Sequence, residues 1–255
     1  MRLVHPLARS CFAALWLFLA ACAPETPDED PGDGAPPIPG TDAGTPLPTT
    51  GSSPLSAFKD GLITYYAGAN GTGNCGFPAT PEDLNVAAII KSEYQGSAVC
   101  GACAEIQGPR GTLRVRLVDS CPDCVEPGHL DLSPSAFAKL ADPTLGRVRV
   151  KWRFVTCPVT GSLRYHFKEG SSQWWTALQV RNHHKPIRKL EWLKLGTWQV
   201  APRQDYNYFL ASSGMGLGPL KLRVTAWDGE VLEHTLPGIL DSQVVSGASQ
   251  FSPLP

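Results

Sequence analysis

Six cysteines, at 75, 100, 103, 121, 124 and 157, constrain this chain more than any other feature. The pairs in CGAC and CPDC give the spacing C-x2-C-x17-C-x2-C, which suits a zinc ribbon as well as a disulfide framework. Two considerations decide between them. An export route places thiols in an oxidising compartment, and a four-ligand zinc site would leave Cys75 and Cys157 over. The even set of six therefore reads as three disulfides with no metal, and which cysteine pairs with which stays open at this level. After Cys157 the cysteines stop, so about a hundred further residues must fold without bridges.

The compartment is read from the N-terminus. Arg2 and Arg9 precede an apolar run of 11 residues, CFAALWLFLAA, too short to span a bilayer. It ends in LAAC, which resembles a bacterial lipobox. Residues 1–21 are thus expected to be a lipoprotein signal peptide with Cys22 lipidated; the alternative is an ordinary signal peptide cut near Ala21. Residues 22–57 follow as a tether. Between 23 and 57 lie nine prolines and six acidic residues with no Lys or Arg, a composition that predicts an extended, disordered segment. Export and lipid anchoring at the envelope, facing outward or extracellular, is the expected location. Residues 58–255 carry a net charge of +3, too weak and too evenly spread for nucleic acid, and no phosphate-cradling glycine loop is present. Monomer is the default expectation, and no cofactor is implied.

Hydrophobic periodicity then gives the fold class. LRVRLVD (113–119) and RVRVKWRFV (147–155) alternate, the second with Val148, Val150, Trp152 and Phe154 on one face and Arg147, Arg149, Lys151 and Arg153 on the other. Between them DLSPSAFAKLA offers Ser133 as N-cap and Pro134 as first helical residue. Beyond residue 161 the pattern stays β, with Asp228-Gly229 as a hairpin turn. The fold class is all-β, with a stapled unit over 58–158 and a β-sandwich of the immunoglobulin-like kind over 159–255. EGSSQWWTALQVRN sets Trp174 and Trp175 side by side. Neighbouring residues on a strand point to opposite faces, so both reach one surface only if the chain there is a loop or bulge.

Taken in order, GLITYYAG (61–68), CGACAEIQGPRGTLRVRLVDSCPDC (100–124), GHLDLSPSAFAKLA (128–141), VKWRFVTCPVTG (150–161) and FKEGSSQWWTALQVRNHHKPI (167–187) resemble a microbial expansin over residues 58 to about 250. The resemblance implies a six-stranded double-psi β-barrel followed by a β-sandwich carbohydrate-binding module. It implies the pairs Cys75–Cys100, Cys103–Cys157 and Cys121–Cys124. It also implies a polysaccharide platform of Trp174, Trp175 and Tyr206, with Lys168 beside it. In the barrel groove, Asp131 matches the acid of related inverting glycoside hydrolases and Thr64 the threonine beside it. Asp119 matches a groove aspartate assigned to binding and to the hydrogen-bond network around Asp131. His129 shares a strand face with Asp131 at i, i+2. His183 and His184 read as an exposed turn before Pro186.

An inverting glycosidase needs a second carboxylate roughly 6.5 to 9.5 Å from its acid. In those hydrolases that base ends the first strand, and here the corresponding stretch ends at Gly68. Some bacterial expansins also carry an aromatic where this chain has Cys121. The implied function is non-hydrolytic loosening of plant-type cell walls by binding cellulose, hemicellulose or related glycans. Two rivals stand beside it. One is a lytic transglycosylase or weak endoglucanase using Asp131 as single acid on peptidoglycan or β-glucan. The other is a purely adhesive module, which would leave Thr64, Asp119 and Asp131 without a task.

Overall fold

The predicted alternation is realised in the computed structural model, which describes residues 53–253. In β6 (Val148–Val155), Val150 and Trp152 are buried while Arg149 and Lys151 face solvent. β6 closes a six-stranded barrel with β1 (Lys59–Tyr65), β2 (Val86–Ile90), β3 (Cys103–Gly108), β4 (Gly111–Cys121) and β5 (His129–Leu132). The order around the barrel is β1-β5-β2-β4-β3-β6. β1 runs parallel to β5 and β2 parallel to β4, the other neighbours antiparallel. Closure leaves no free sheet edge. Ile63, Ile89, Leu117, Leu130 and Trp152 are fully buried inside it.

Two local features fix this core. The Trp152 indole Nε1 donates to the Gly128 carbonyl at 2.8 Å. It passes so close to Gly61 that a Cβ there would lie 2.6 Å from the ring. Helix α1 (Pro134–Leu140) starts as its sequence predicts: Ser133 Oγ accepts from the Ala136 N–H at 3.1 Å, and Ala136, Phe137 and Leu140 pack inward.

Three disulfides join Cys75 to Cys100, Cys103 to Cys157 and Cys121 to Cys124. The Cys103–Cys157 bridge closes a separation of 54 residues, for which chain entropy gives about 4 kcal/mol, against about 2 kcal/mol for the short Cys121–Cys124 loop. The lipidation expected at Cys22 and most of the tether lie outside the described residues. The tether's expected end at residue 57 is shifted, because residues 53–57 lie along β6. The Leu55 N–H donates to the Phe154 carbonyl and the Thr156 N–H to the Ser53 carbonyl, each at 2.8 Å. Backbone pairing outweighs the Pro- and Ser-rich composition there.

The second unit is a sandwich of two four-stranded sheets. One has the order β10 (Thr197–Val200), β9 (Ile187–Lys194), β12 (Leu220–Ala226), β13 (Val231–Leu236). The other runs β11 (Phe209–Ala211), β8 (Thr176–Arg181), β7 (Arg164–Phe167), β14 (Val244–Ser246). Tyr165, Phe167, Leu178, Leu222, Val224 and Leu236 fill the space between them. Here a buried lysine held by two partly exposed carboxylates stands where the barrel has disulfides. The buried Lys185 ammonium lies 2.6 Å from both Asp228, the first residue of the predicted hairpin turn, and Glu230, which follows it.

Barrel and sandwich meet around the Cys75–Cys100 bridge. Gln179 Nε2 and Asn207 Nδ2 donate to the Cys75 carbonyl at 2.8 and 3.2 Å. From the barrel, Tyr94 Oη donates to the Asp205 carbonyl at 2.9 Å and Ser97 Oγ to the Gln204 carbonyl at 2.8 Å. His183 belongs to this junction. It is buried against Gly101, contrary to the exposed turn read from the sequence, and His184 is half-buried with Nδ1 2.6 Å from the Cys157 carbonyl.

Candidate functional site: a carboxylate groove and an aromatic platform

Parallel pairing of β1 with β5 sets Thr64 directly opposite Asp131. Thr64 Oγ1 donates to Asp131 Oδ1 and lies 2.9 Å from His129 Nε2. Since the hydroxyl proton is given to the carboxylate, the imidazole must donate Nε2–H to the same oxygen. The result is a chain from His129 through Thr64 to Asp131. His129 Nδ1 then carries a lone pair that is buried without a partner. Protonating it would bury an unpaired donor, and burial accordingly holds the His129 pKa below its ordinary value, against the pull of Asp131. Burial raises the Asp131 pKa, with the Thr64 hydrogen bond and His129 opposing it. The groove thus favours a carboxyl that keeps its proton more readily than an exposed aspartate does.

Asp119 does not join this chain. Its Oδ1 accepts from the Asn74 N–H at 2.7 Å and the Ser120 N–H at 2.8 Å, so it ties down the loop that follows β1. Ala88 of β2 is the register partner of both Asp119 and Asp131, which sets their backbones two strand spacings apart, about 10 Å. At Gly68, where the hydrolase base would stand, nothing but open space surrounds the position a Cβ would take.

The sequence reading passed over two residues of this groove. Tyr66 stands two positions beyond Thr64, and its buried hydroxyl has no hydrogen-bond partner. Burial, then the charges of Asp119 and Asp131, push its pKa up to about 12, so it remains a neutral donor between the two acids. Asn74 joins the two units: its backbone N–H holds Asp119 while its Nδ2 donates to Tyr94 Oη and to the Asp205 carbonyl, both at 3.0 Å. The TYYAG run was the available signal for Tyr66. For Asn74 there was none, because its partner at 205 is distant in the chain.

The platform is built from turns. Ser172 and Trp175 exchange backbone hydrogen bonds, which makes a tight turn with Gln173 and Trp174 at its tip before β8 begins. Trp174 is 74% exposed and Trp175 half-buried. Thr176 Oγ1 holds the Ser172 carbonyl at 2.9 Å, and the Gly216 N–H holds that of Gln173 at 3.2 Å. Gly214 lies beneath this turn at φ 70°, so close that a Cβ would come within 1.9 Å of the Gln173 carbonyl. Tyr206 occupies a second turn, closed by the Gln204 N–H to the Tyr208 carbonyl at 2.7 Å, with Asn207 at φ 64°. Its exposed ring lies 5.8 Å from that of Tyr208. Lys168 is half-buried at the end of β7, and its backbone N–H donates to the Ala177 carbonyl beside the tryptophan turn.

No family model matches the chain. Its sequence is 39% identical over 199 residues to Expansin-YoaJ of Bacillus subtilis (strain 168), covering 75% of this chain and 85% of that protein. The chain belongs to the expansin family. The crystal structure of apo Clavibacter michiganensis expansin superposes with a TM-score of 0.70 at 33% identity, over 78% of this chain and all of that one. A mutant of the same Clavibacter expansin, in complex with cellohexaose, matches with a TM-score of 0.71. The closed barrel and the sheet unit after it are therefore an expansin's two parts. In this expansin the groove and the Tyr206 turn are linked by Asn74 and Tyr94.

Proposed function

We propose that this expansin is exported, binds cellulose and related wall glycans, and loosens them without hydrolysis. The observation that carries the reading is the pair of tryptophans on a pinned turn, with Tyr206 on a second turn bonded to the barrel. Flat apolar rings match the apolar faces of pyranose rings, and the cellohexaose bound by a relative fits such a platform. Covering one face of each indole contributes about 2 kcal/mol. Preorganisation of the turn by Gly214, Gly216 and Thr176 lowers the ordering cost of that contact.

In the groove, Asp131, whose carboxyl keeps its proton more readily than an exposed aspartate does, hydrogen-bonds a glycan oxygen while Thr64 and Tyr66 hold the strand alongside. Lys168 contacts the same ligand at the platform's flank. Glucan held in this way exchanges contacts with neighbouring chains for contacts with protein, so chains slide under load. No carboxylate stands at the base position, since Gly68 supplies none, and Asp119 is held by two backbone N–H groups on its Oδ1. Cys22 anchors the protein by lipid at the envelope, facing outward, and the folded part acts as a monomer.

Extension of a loaded cellulosic wall tests the reading. The Trp174→Ala, Trp175→Ala double variant is expected to lose cellulose affinity by about three orders of magnitude, and extension with it. Asp131→Asn is expected to bind cellulose normally and extend walls poorly. Full extension by Asp131→Asn would leave an adhesive module. Release of anhydro-muropeptides from peptidoglycan, lost in Asp131→Asn, would make the protein a lytic transglycosylase.

A further inference from the structure

Apart from groove and platform, a cavity of about 700 Å³ opens between β4 of the barrel and the β7–β8 pair of the sandwich. Its lining contains four arginines, Arg114, Arg116, Arg164 and Arg181, and a single carboxylate, Asp83. Groove and platform residues take no part in it.

The arginines are only partly neutralised among the described residues: Glu105 is the register partner of Arg114, and Asp83 and Glu82 lie near Arg116. None of the four is in a salt bridge. Arg114 Nη1 is buried with no hydrogen-bond partner. Arg116 reaches only the Thr80 hydroxyl at 3.2 Å and the Phe77 ring at 5.4 Å. Arg181 bonds Gln179, the Tyr208 hydroxyl and, at 3.4 Å, the Gly76 carbonyl. Arg164 and Arg181 are direct register partners on β7 and β8, an arrangement of like charges that destabilises a sheet. Arg114 and Arg116, two apart on β4, share a strand face. Burial holds the pKa values of Arg114, Arg116 and Arg181 below the ordinary guanidinium range, with nearby acids or Tyr208 only partly opposing it. Four cations at one cavity cost stability in the empty protein, and an anion reverses that cost. Planar guanidinium forks match carboxylate and phosphate oxygens.

The geometry points to an oxyanion site in this cavity, one that takes a carboxylate or phosphate group carried on a wall polymer while the platform holds neutral glucan. The two contacts share the loop after β1: Asn74 in that loop bonds Asp119, and Phe77, Pro78 and Asp83 line the cavity.

Calorimetric titration of the whole protein at low salt, with glucuronate, inorganic phosphate and glucose in turn, tests this. Saturable one-to-one binding of at least one anion, and none of glucose, is expected. Arg114→Gln and Arg164→Gln are each expected to weaken it about tenfold, with binding of cello-oligosaccharide unchanged as the check that fold and platform survive. Tighter binding of glucuronate would assign the site to uronic acids, and tighter binding of phosphate to phosphate esters. Absence of saturable binding for both anions, or wild-type affinity in both variants, would overturn the proposal.

Discussion

Barrel and sandwich hold the residues proposed for recognition by opposite means. In the barrel, Thr64, His129 and Asp131 sit on strands whose register aligns them, and three disulfides brace the loops around the strands. In the sandwich, Trp174, Trp175 and Tyr206 sit on turns, and a buried lysine held by two carboxylates replaces the bridges. The difference follows from the task of each. A carboxyl whose proton affinity is raised by burial and opposed by one hydroxyl and one imidazole needs fixed register. A flat platform needs only exposed rings on a well-pinned backbone.

Removing the covalent brace should damage one side selectively. Cys103→Ala with Cys157→Ala is expected to cost about 4 kcal/mol, with hydrogen-exchange protection lost in β3 and β6 first and retained in β9 and β12. Equal loss in both units would show that they unfold as one. The converse substitution, Lys185→Met, removes two charge-assisted hydrogen bonds to partly exposed carboxylates and is expected to cost about 3 kcal/mol in denaturant unfolding, read first in the sandwich. Unchanged stability there would mean the lysine and its two carboxylates hold nothing together.

A smaller effect probes the junction. Burial, then the neighbouring Arg203, pushes the His183 pKa down to about 4, with a Lys185 backbone contact opposing and Arg116 and His184 adding to it. Unfolded, the same histidine titrates near 6.5, so between these values the unfolded chain binds more protons. Stability from this group is therefore full above pH 6.5 and is lost as pH falls toward 4. Acidification from pH 7 to 5 should cost about 2 kcal/mol in thermal unfolding. His183→Gln is expected to remove about that much of the dependence and to leave the part due to His166, whose pKa burial also pushes down to about 4; an unchanged slope would place its origin in His166 and the other buried histidines.

The same contrast explains what the sequence revealed. Strands with strict alternation, such as β6, and a helix with both Ser133 and Pro134 at its start were legible because periodicity and capping are local. Asp131, Thr64 and His129 were found through i, i+2 spacing and family resemblance together. The burial of His183 was missed, since two polar residues before a proline look like a turn until Gly101 of the barrel packs against them. Ser53–Ala57 was hidden by a composition that ordinarily prevents pairing. The arginine cavity was invisible for a similar reason: its residues come together only through β7–β8 register and the docking of the two units.

The central claim is binding and loosening without cleavage. Incubating the protein with insoluble cellulose, then measuring bound protein together with soluble products by mass spectrometry, tests it most directly. The account predicts tight binding, lost when Trp174 and Trp175 become alanine, and no soluble fragments. Cello-oligosaccharides that accumulate with time and disappear in Asp131→Asn would contradict it.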